Sequence, residues 1–357
     1  MCREQFPDLP YVNLEHIDTL AEVKADPMAF LSKYPKGVII DEAQNFPEIF
    51  SYLQVEIDED RHRGTDTHHY IVTGSNNFTL MENIIQSMAG RTAVFSLLPL
   101  SVKEILSYAP DASTSQMILN GGYPAVWTSG DEKGRQMLLS NYYTTYVERD
   151  MRTLINVKDL QAFQTFIRLC AGRVGQEFNA SAISNDVGVS VPTIQHWLSI
   201  LAASYVVYLQ NPYYANIGKR LTKTPKLYFY DTGLAAFLLG IHTEEQMDTH
   251  PLRGSLFENM VINDMMKQGT NRGEQEQLFF YRDKGQREID VLRVLPDHVE
   301  AYEIKASQTF SIDFFNNLNY LRTLLKDHLT KTMVIYDGKQ ENPQAQNAIC
   351  NFRHLQL

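Results

Sequence analysis

An uninterrupted apolar run that ends in two carboxylates limits the fold of this chain: residues 36–44, KGVIIDEAQ. Three branched aliphatic residues in a row predict a strand buried on both faces, as in parallel sheets covered by helices. Ligands of such sheets bind at the carboxyl ends of strands, where Asp41 and Glu42 lie. One carboxylate there can hold Mg²⁺, and the other can orient water towards a phosphoryl group. Alternatively, both residues simply begin the next helix.

A second apolar strand follows about thirty residues later, in residues 69–77, HYIVTGSNN. It ends in small polar groups, as a strand does when it carries a residue that contacts the γ-phosphate of a nucleotide. Thr73, Ser75 and Asn76 are the candidates for nucleotide binding. A plain exit from a strand into a turn is the alternative for each of them.

Length and composition are those of a globular protein with two or three domains: 357 residues, 44% hydrophobic and 21% charged. No apolar run has the length of a membrane span, and the first residues lack the apolar centre of a signal peptide. We therefore expect a cytoplasmic protein without a membrane partner. The isolated Cys2, Cys170 and Cys350 offer neither a disulfide framework nor a Cys-x-x-Cys zinc site.

The net charge of −10 argues against a protein that coats nucleic acid with its whole surface. A local basic segment is nevertheless present, because no acidic residue occurs between Asp186 and Asp231. That interval contains four cations: Lys219, Arg220, Lys223 and Lys226.

The first hundred residues alternate between strand and helix patterns, which predicts the crossover units of a parallel sheet. Strands are predicted at 9–15, 70–73 and 92–97 in addition to the run at 36–44. Helices are predicted to begin at Asp26-Pro27 and to cover 47–59 and 81–88. The sequence contains no Gly-x-x-x-x-Gly-Lys-Ser/Thr loop to hold phosphates.

Six motifs occur in a fixed order: LPYVNLE at 9–15, DP at 26–27, GVIIDEAQ at 37–44, TGS at 73–75, AGR at 89–91 and LPLS at 98–101. In these motifs the chain resembles the AAA-plus ATPases of bacteria and archaea that carry a carboxy-terminal restriction-endonuclease-like domain. The resemblance covers nearly the whole chain.

The resemblance implies that residues 36–44 form a Walker B motif, with ATP and Mg²⁺ as cofactors and Asp41 and Glu42 as catalytic residues. It also implies that Arg91 contacts a nucleotide, often across a subunit interface, so a homo-oligomer is an expected partner state. A surface arginine paired with a carboxylate is an equal alternative. In that family a first strand and the Walker A loop precede the position of Met1. We therefore expect an amino-terminal truncation and no ATPase activity from this chain.

The middle of the chain predicts helices and a small hairpin. A turn at 120–124, NGGYP, interrupts the helical residues 101–152 and is interpreted as a structural joint. Helices at 180–185 and 191–201, the second capped by Ser190, form a helix-turn-helix pattern, and strands at 205–209 and 226–230 complete a winged helix. A winged helix binds DNA or protein. The candidate nucleic-acid contacts are Thr193, Gln195, His196, Lys219, Arg220 and Lys223.

The last third predicts a helix at 255–267, strands at 277–282, 287–294 and 299–305, a helix at 312–325 and a strand at 332–336. Because side chains alternate along strands, neighbouring strands can bring Asp290, Glu303 and Lys305 together. An ordinary strand pair with exposed charges is the alternative. The pattern resembles the PD-(D/E)xK nuclease core. This implies Mg²⁺ or Mn²⁺ on Asp290 and Glu303, with Glu258 as an additional helix carboxylate and Lys305 positioning the nucleophile.

The predicted fold class is α/β. The domains are a partial P-loop-type parallel sheet (1–105), a helical connector (106–165), a winged helix (166–250) and a PD-(D/E)xK nuclease-like domain (251–357). The predicted function is an AAA-type ATPase remnant or fragment fused to a nuclease-like domain, with DNA as partner. The alternative is a non-enzymatic DNA- or protein-binding regulator.

Overall fold

The computed structural model describes residues 1–65, 68–74, 87–150, 159–213 and 224–357, and it describes only the backbone of residues 147–150. The chain is α/β and forms two compact units, Met1–Val94 and Phe95–Leu357. No described helix is both long enough and apolar enough to cross a membrane. The predicted helix at 81–88 lies almost wholly outside the described residues.

The first unit is a parallel sheet of three strands in the order β1-β2-β3. The register pairs Tyr11 with Ile39, and Ile39 with Ile71 on the other side. This is the parallel arrangement that the apolar run at 36–44 predicts. The elements are α1 (Cys2–Gln5), β1 (Tyr11–Asn13), α2 (Ile17–Ala25), α3 (Pro27–Ser32), β2 (Ile39–Asp41), a 3₁₀ turn (Ala43–Asn45), α4 (Ile49–Arg63) and β3 (Ile71–Val72).

Local chemistry explains where these elements begin. The Asp26 side chain accepts a hydrogen bond from the Ala29 amide, and Pro27 is the first residue of α3. Gly37 has φ +100°, and a Cβ there would lie 2.1 Å from the backbone oxygen of His69. Only glycine can therefore bring β2 this close to the segment that leads into β3.

Residues 92–97 do not form the strand that their apolar pattern predicts. Val94, Phe95 and Leu97 are instead exposed by 52%, 76% and 74%. A strand needs a neighbouring strand to pair its backbone groups. The described residues contain no strand that pairs with this segment. The strand that the apolar pattern predicts at 92–97 is therefore wrong.

We expect limited proteolysis to cut the first unit before the second. Its strands contain only three, three and two residues, and in the described part β3 pairs with β2 alone. Such short ladders open at low free-energy cost. A time course with trypsin, read by mass spectrometry, should show early cuts within Met1–Val94 and later cuts in Phe95–Leu357. Equal cleavage rates in both units, or equal hydrogen-exchange protection, would contradict this prediction.

The second unit begins with helices and a small hairpin. Strands β4 and β5 pair antiparallel, with Val207 opposite Phe229. The elements are α5 (Val102–Tyr108), α6 (Thr114–Asn120), α7 (Pro124–Trp127), α8 (Glu132–Tyr142), a π-helical segment (Tyr143–Asp150), α9 (Leu160–Ala171), α10 (Ala180–Val187), α11 (Val191–Ala203), β4 (Val207–Gln210), β5 (Lys226–Phe229), α12 (Thr232–Leu238) and α13 (Glu244–Thr249).

Helices α10 and α11 lie where the helix-turn-helix pattern predicts two helices. Asn179 and Ser190 cap them through hydrogen bonds to the amides of Ala182 and Thr193. Gly188 ends α10 with φ +78°, a left-handed conformation that glycine adopts without strain. The order helix, turn, helix and antiparallel hairpin agrees with the expected pattern, and its assignment as a winged helix stays a prediction.

A five-stranded mixed sheet completes the second unit, in the order β10-β9-β8-β7-β6. Strands β6, β7 and β8 run antiparallel, whereas β9 and β10 lie parallel to β8. Apolar residues of α14 pack with one part of the sheet, and Leu318 and Leu321 of α15 pack with another. The elements are α14 (Arg253–Asn271), β6 (Leu278–Arg282), β7 (Glu288–Val294), β8 (Val299–Lys305), α15 (Asn316–Leu325), β9 (Leu329–Tyr336) and β10 (Asn347–Asn351).

One hydrophobic core runs from α5 to the end of the chain, so the boundaries predicted at 165 and 250 fall inside a single compact unit. Buried charged side chains tie its segments together. Asp231 accepts the Gly122 amide at 2.7 Å, and Asp264 accepts the Val102 amide at 2.7 Å. The Lys267 ammonium donates to the Leu100 carbonyl at 2.8 Å. The turn at 120–124 is one of the segments held in this way.

Candidate functional site

Asp290 and Glu303 lie side by side on β7 and β8. The register pairs Val291 with Tyr302, which places Asp290 and Glu303 at the next position of each strand. Asp290 Oδ2 accepts the Ile304 amide at 2.7 Å, and that bond fixes the carboxylate against the neighbouring strand. The Lys305 ammonium lies 2.6 Å from Glu303 Oε1 and 3.9 Å from Asp290 Oδ2. The structure thus brings together the three residues that the strand pattern predicts to meet.

Glu303 is buried, with 5% of its surface exposed, and its second oxygen, Oε2, has no hydrogen-bond partner among the described residues. Burial and the charge of Asp290 raise the pKa of Glu303, although Lys305 acts in the opposite direction. An unpartnered buried carboxylate oxygen is costly and calls for an unseen ligand or proton. Carboxylate oxygens are the ligands that Mg²⁺ and Mn²⁺ prefer, so this atom is suited to a divalent cation.

Glu258, on α14, has different partners from those predicted for it. Its Oε1 accepts a hydrogen bond from the Tyr228 hydroxyl and lies 3.3 Å from the Lys226 ammonium. Burial and the Asp290 charge raise the pKa of Glu258, against the influence of Lys226 and Tyr228. The carboxylates of Glu258 and Asp290 are therefore close enough for their charges to interact.

The described residues contain no group of three or more His, Cys, Asp or Glu side chains arranged to hold a metal ion. The expectation of three carboxylates around one cation, Glu258 with Asp290 and Glu303, stays a prediction. In the structure the Glu258 carboxylate instead contacts the Lys226 ammonium and accepts a hydrogen bond from the Tyr228 hydroxyl. Mg²⁺ commonly takes only one or two protein carboxylates and completes its shell with water or substrate phosphate. Asp290 and Glu303 remain a suitable pair.

Sequence reasoning placed Lys226 in a basic segment and missed its position beside the carboxylates of the candidate site. It begins β5 and is 2% exposed, and its ammonium lies 2.5 Å from Glu288 Oε1. Burial lowers the pKa of Lys226, but the carboxylates of Glu258, Asp290 and Glu288 outweigh burial and raise it. The ammonium therefore keeps its charge and is unavailable to a basic surface. A lysine at the head of an otherwise apolar and aromatic strand was the signal in the sequence.

In the first unit, Asp41 lies at the carboxyl end of β2 as predicted. Its carboxylate accepts hydrogen bonds from the hydroxyls of Tyr11 and Thr73, and from the Glu42 amide at 3.1 Å. Burial would raise the pKa of Asp41, but the bonds from Thr73, Tyr11 and the Glu42 amide outweigh it and lower the pKa. Asp41 is thus ionised at neutral pH, as a magnesium ligand must be.

Thr73 therefore contacts the predicted magnesium ligand, and its contact with a nucleotide stays a prediction. Glu42 adopts a left-handed conformation, φ 56°, and accepts a hydrogen bond from the Gln44 amide group. This conformation is uncommon for residues other than glycine and is typical of functional sites. Ser75 and Asn76 lie outside the described residues.

Arg91 forms two hydrogen bonds with Asp58 of α4, Nε to Oδ1 at 2.6 Å and Nη2 to Oδ2 at 2.8 Å. The hydrogen bonds from Arg91 are the largest cause of the lowered pKa of Asp58. This is the arrangement of the alternative interpretation, an arginine paired with a carboxylate. To reach a nucleotide, Arg91 would have to leave Asp58.

The predicted nucleic-acid contacts are only partly described. Gln195 and His196 on α11 are exposed, and the Thr193 hydroxyl lies 2.8 Å from the Ser190 hydroxyl that caps the helix. Thr193 is thus engaged in the cap. Lys219, Arg220 and Lys223 lie outside the described residues.

Comparison with known families divides the chain into three matched segments. Residues 1–106 match a family described as an AAA domain. Residues 111–245 and 253–355 match two domains of unknown function, DUF8612 and DUF4143.

Similar proteins occur in bacteria and archaea. An uncharacterised protein of Mycobacterium tuberculosis is 28% identical over 326 residues, which cover 91% of this chain and 70% of the relative. One from Methanocaldococcus jannaschii is 22% identical over 311 residues, 80% of this chain and 66% of the relative. The crystal structure of CDC6P from Pyrobaculum aerophilum covers 68% of this chain and 83% of its own, at 13% identity and a TM-score of 0.25, too low to bear on the fold. Residues 1–106 are therefore similar to an AAA domain.

Proposed function

We propose that the second unit binds one divalent cation, Mg²⁺ or Mn²⁺, through Asp290 and Glu303 and hydrolyses phosphodiester bonds in DNA. The observation that carries the proposal is Glu303 Oε2, which is buried on the strand next to Asp290 and has no hydrogen-bond partner in the part of the chain that the structure describes. The order of elements, a helix, three antiparallel strands, a helix and a strand parallel to the third, supports a PD-(D/E)xK-like assignment.

Each side chain has a distinct part in this proposal. The Ile304 amide and the Lys305 ammonium both contact Oδ2 of Asp290, so they leave Oδ1 for the cation. The side chain of Lys305 is 33% exposed, and its ammonium can reach a phosphate group while Glu303 holds it. A bound divalent cation would lower the pKa of a water molecule and neutralise charge on the phosphate.

The first unit supplies the AAA-type part of the function. We propose that Asp41 holds Mg²⁺ of a nucleotide and that Glu42 orients water, as the family match suggests. The ionised Asp41, held by Tyr11 and Thr73, supports this assignment. The sequence contains no phosphate-binding Gly-x-x-x-x-Gly-Lys-Ser/Thr loop, so ATP turnover by this chain is not expected.

A thermal unfolding experiment on the full chain, with and without Mn²⁺, tests the cation site. Binding at a hundredfold excess over Kd stabilises a protein by about 2.7 kcal/mol, so the wild type should unfold at a higher temperature with Mn²⁺. Asp290→Asn should lose this shift and any Mn²⁺-dependent cleavage of plasmid DNA. Glu300→Gln is the matched control, because Glu300 lies on β8 but pairs with Arg293 at 3.3 Å.

The absence of a shift in the wild type, or a shift that Asp290→Asn leaves unchanged, would overturn the site. A shift without DNA cleavage would instead favour a non-enzymatic regulator. One observation favours that second candidate: Lys226 and Lys305 already neutralise much of the acidic cluster without a metal ion.

A further inference from the structure

Four carboxylates of the second unit divide into two pairs, each around one lysine. Asp290 and Glu303 lie beside Lys305, at 3.9 and 2.6 Å. Glu258 and Glu288 lie beside Lys226, at 3.3 and 2.5 Å. Two positions for positive charge therefore exist within one acidic cluster.

The two lysines differ in access to solvent. The side chain of Lys305 is 33% exposed, so its ammonium can move away as a cation or phosphate enters. The side chain of Lys226 is 3% exposed and lies over the Phe280 ring, with the ammonium 5.4 Å from the ring centre. Its backbone pairs with Gln210 in the β4–β5 hairpin. Lys226 is thus fixed in place by the hairpin and by its surroundings.

We propose that Lys226 is a built-in cation that occupies the second cation position of the cluster, so that the site takes one divalent ion and not two. This inference rests on the proposed function, because it concerns the same site. Many enzymes that cleave phosphodiesters use two metal ions to neutralise the attacking and leaving oxygens. Here the Lys226 ammonium on β5 takes the place of one of the two metal ions. Lys226 is thus a positioning residue that keeps Glu258 and Glu288 away from the bound metal ion.

The proposal predicts a gain of metal binding when Lys226 is replaced. Lys226→Met keeps most of the apolar stem but removes the charge, which leaves Glu258 without its lysine and Glu288 with only Arg282, 3.6 Å away. The variant should unfold at a lower temperature than the wild type in EDTA and should show a larger Mn²⁺-induced rise. The number of Mn²⁺ ions bound per chain in the absence of nucleotide, measured by titration calorimetry and by electron paramagnetic resonance of free Mn²⁺, should change from one to two.

Two further variants make the experiment specific. Lys226→Met combined with Glu258→Gln should return the count to one, because the second ion loses a ligand. Lys339→Met, at an exposed lysine outside the cluster, should bind one ion as the wild type does. Two ions in the wild type, or one ion in a folded Lys226→Met, would overturn the inference while the proposed cation site stands.

Glu258→Gln alone tests the proposal even if Lys226→Met fails to fold. Because the Glu258 carboxylate accepts hydrogen bonds from Lys226 and Tyr228 and does not bind the metal ion, this variant should still bind one Mn²⁺ ion per chain. Loss of the ion in Glu258→Gln would make Glu258 a metal ligand and would overturn the assignment of Lys226. A wild type that binds no Mn²⁺ would refute the proposed function itself, an outcome distinct from both of these.

Discussion

Replacement of Gly121 by alanine is expected to destabilise the second unit by about 3 to 6 kcal/mol, a large part of the stability of a typical domain. Gly121 has φ 62° and ψ −150°, a conformation that residues with a Cβ adopt only under strain. An alanine Cβ would also lie 2.2 Å from Asp231 Oδ1. The Asp231 side chain would have to move and release the amides of Gly122 and Leu234, which it accepts at 2.7 and 2.9 Å.

Gly130→Ala is the matched control for Gly121→Ala. Gly130 also has a positive φ, +80°, but apart from its chain neighbours no described residue has an atom within 4 Å of the position that its Cβ would take. Its substitution should cost about 1 kcal/mol, the strain of the backbone alone. The difference between the two variants, measured by urea or thermal unfolding, contains the contact with Asp231 together with any difference in backbone strain.

A double-mutant cycle makes the argument quantitative. Asp231→Ala should itself be destabilising by about 1 to 3 kcal/mol for each amide left without an acceptor. In that background Gly121→Ala should cost only its own backbone strain, about 1 to 3 kcal/mol, because the group that the alanine displaces is already gone. Losses that simply add in the double variant would show that Gly121 and Asp231 act independently.

The strands that carry the candidate residues could be predicted because their signals are local. The run at 36–44 predicts β2, and the alternation of Glu303 and Lys305 on β8 predicts that both lie near Asp290. The helix cap at Ser190 predicts α11. In each case the residues that determine the strand or helix are neighbours in the sequence or on adjacent strands.

What the sequence could not predict depends on contacts between distant segments. Lys226 and Glu258 are 32 residues apart, so the lysine at the head of an apolar strand marks an unusual position but does not identify its acidic partners. The strand expected at 92–97 required a neighbouring strand that the described residues do not supply. The hydroxyls of Tyr11 and Thr73 on Asp41 likewise depend on the register of three strands.

Glu303→Gln is expected to stabilise the metal-free protein at neutral and alkaline pH, although it removes a proposed metal ligand. Burial and the Asp290 charge raise the pKa of Glu303 to about 8, from an ordinary value of 4.5. A carboxyl whose pKa is raised by folding binds its proton more tightly in the folded state. The wild type therefore loses stability as the pH rises from 4.5 towards 8.

Glutamine removes this penalty because it cannot ionise. One pKa unit corresponds to about 1.4 kcal/mol, and Lys305 loses a charged acceptor, so the net gain should be on the order of 1 to 3 kcal/mol above about pH 8. At about pH 5, where the wild-type carboxyl is protonated in the folded state, the two proteins should have nearly equal stability. Urea unfolding in EDTA at both pH values measures the difference.

Mn²⁺ should reverse the order of stability, because the wild type gains binding free energy and Glu303→Gln does not. Glu300→Gln is the control on the same strand. Glu300 lies 3.3 Å from Arg293 and accepts the Tyr302 hydroxyl at 2.6 Å, so its neutralisation should reduce stability at both pH values. A site kept for function at a cost in stability shows this reversal, whereas a structural ion pair does not. If Glu303→Gln is less stable than the wild type in EDTA at both pH values, Glu303 serves Lys305 as a structural partner and its place in a cation site is refuted.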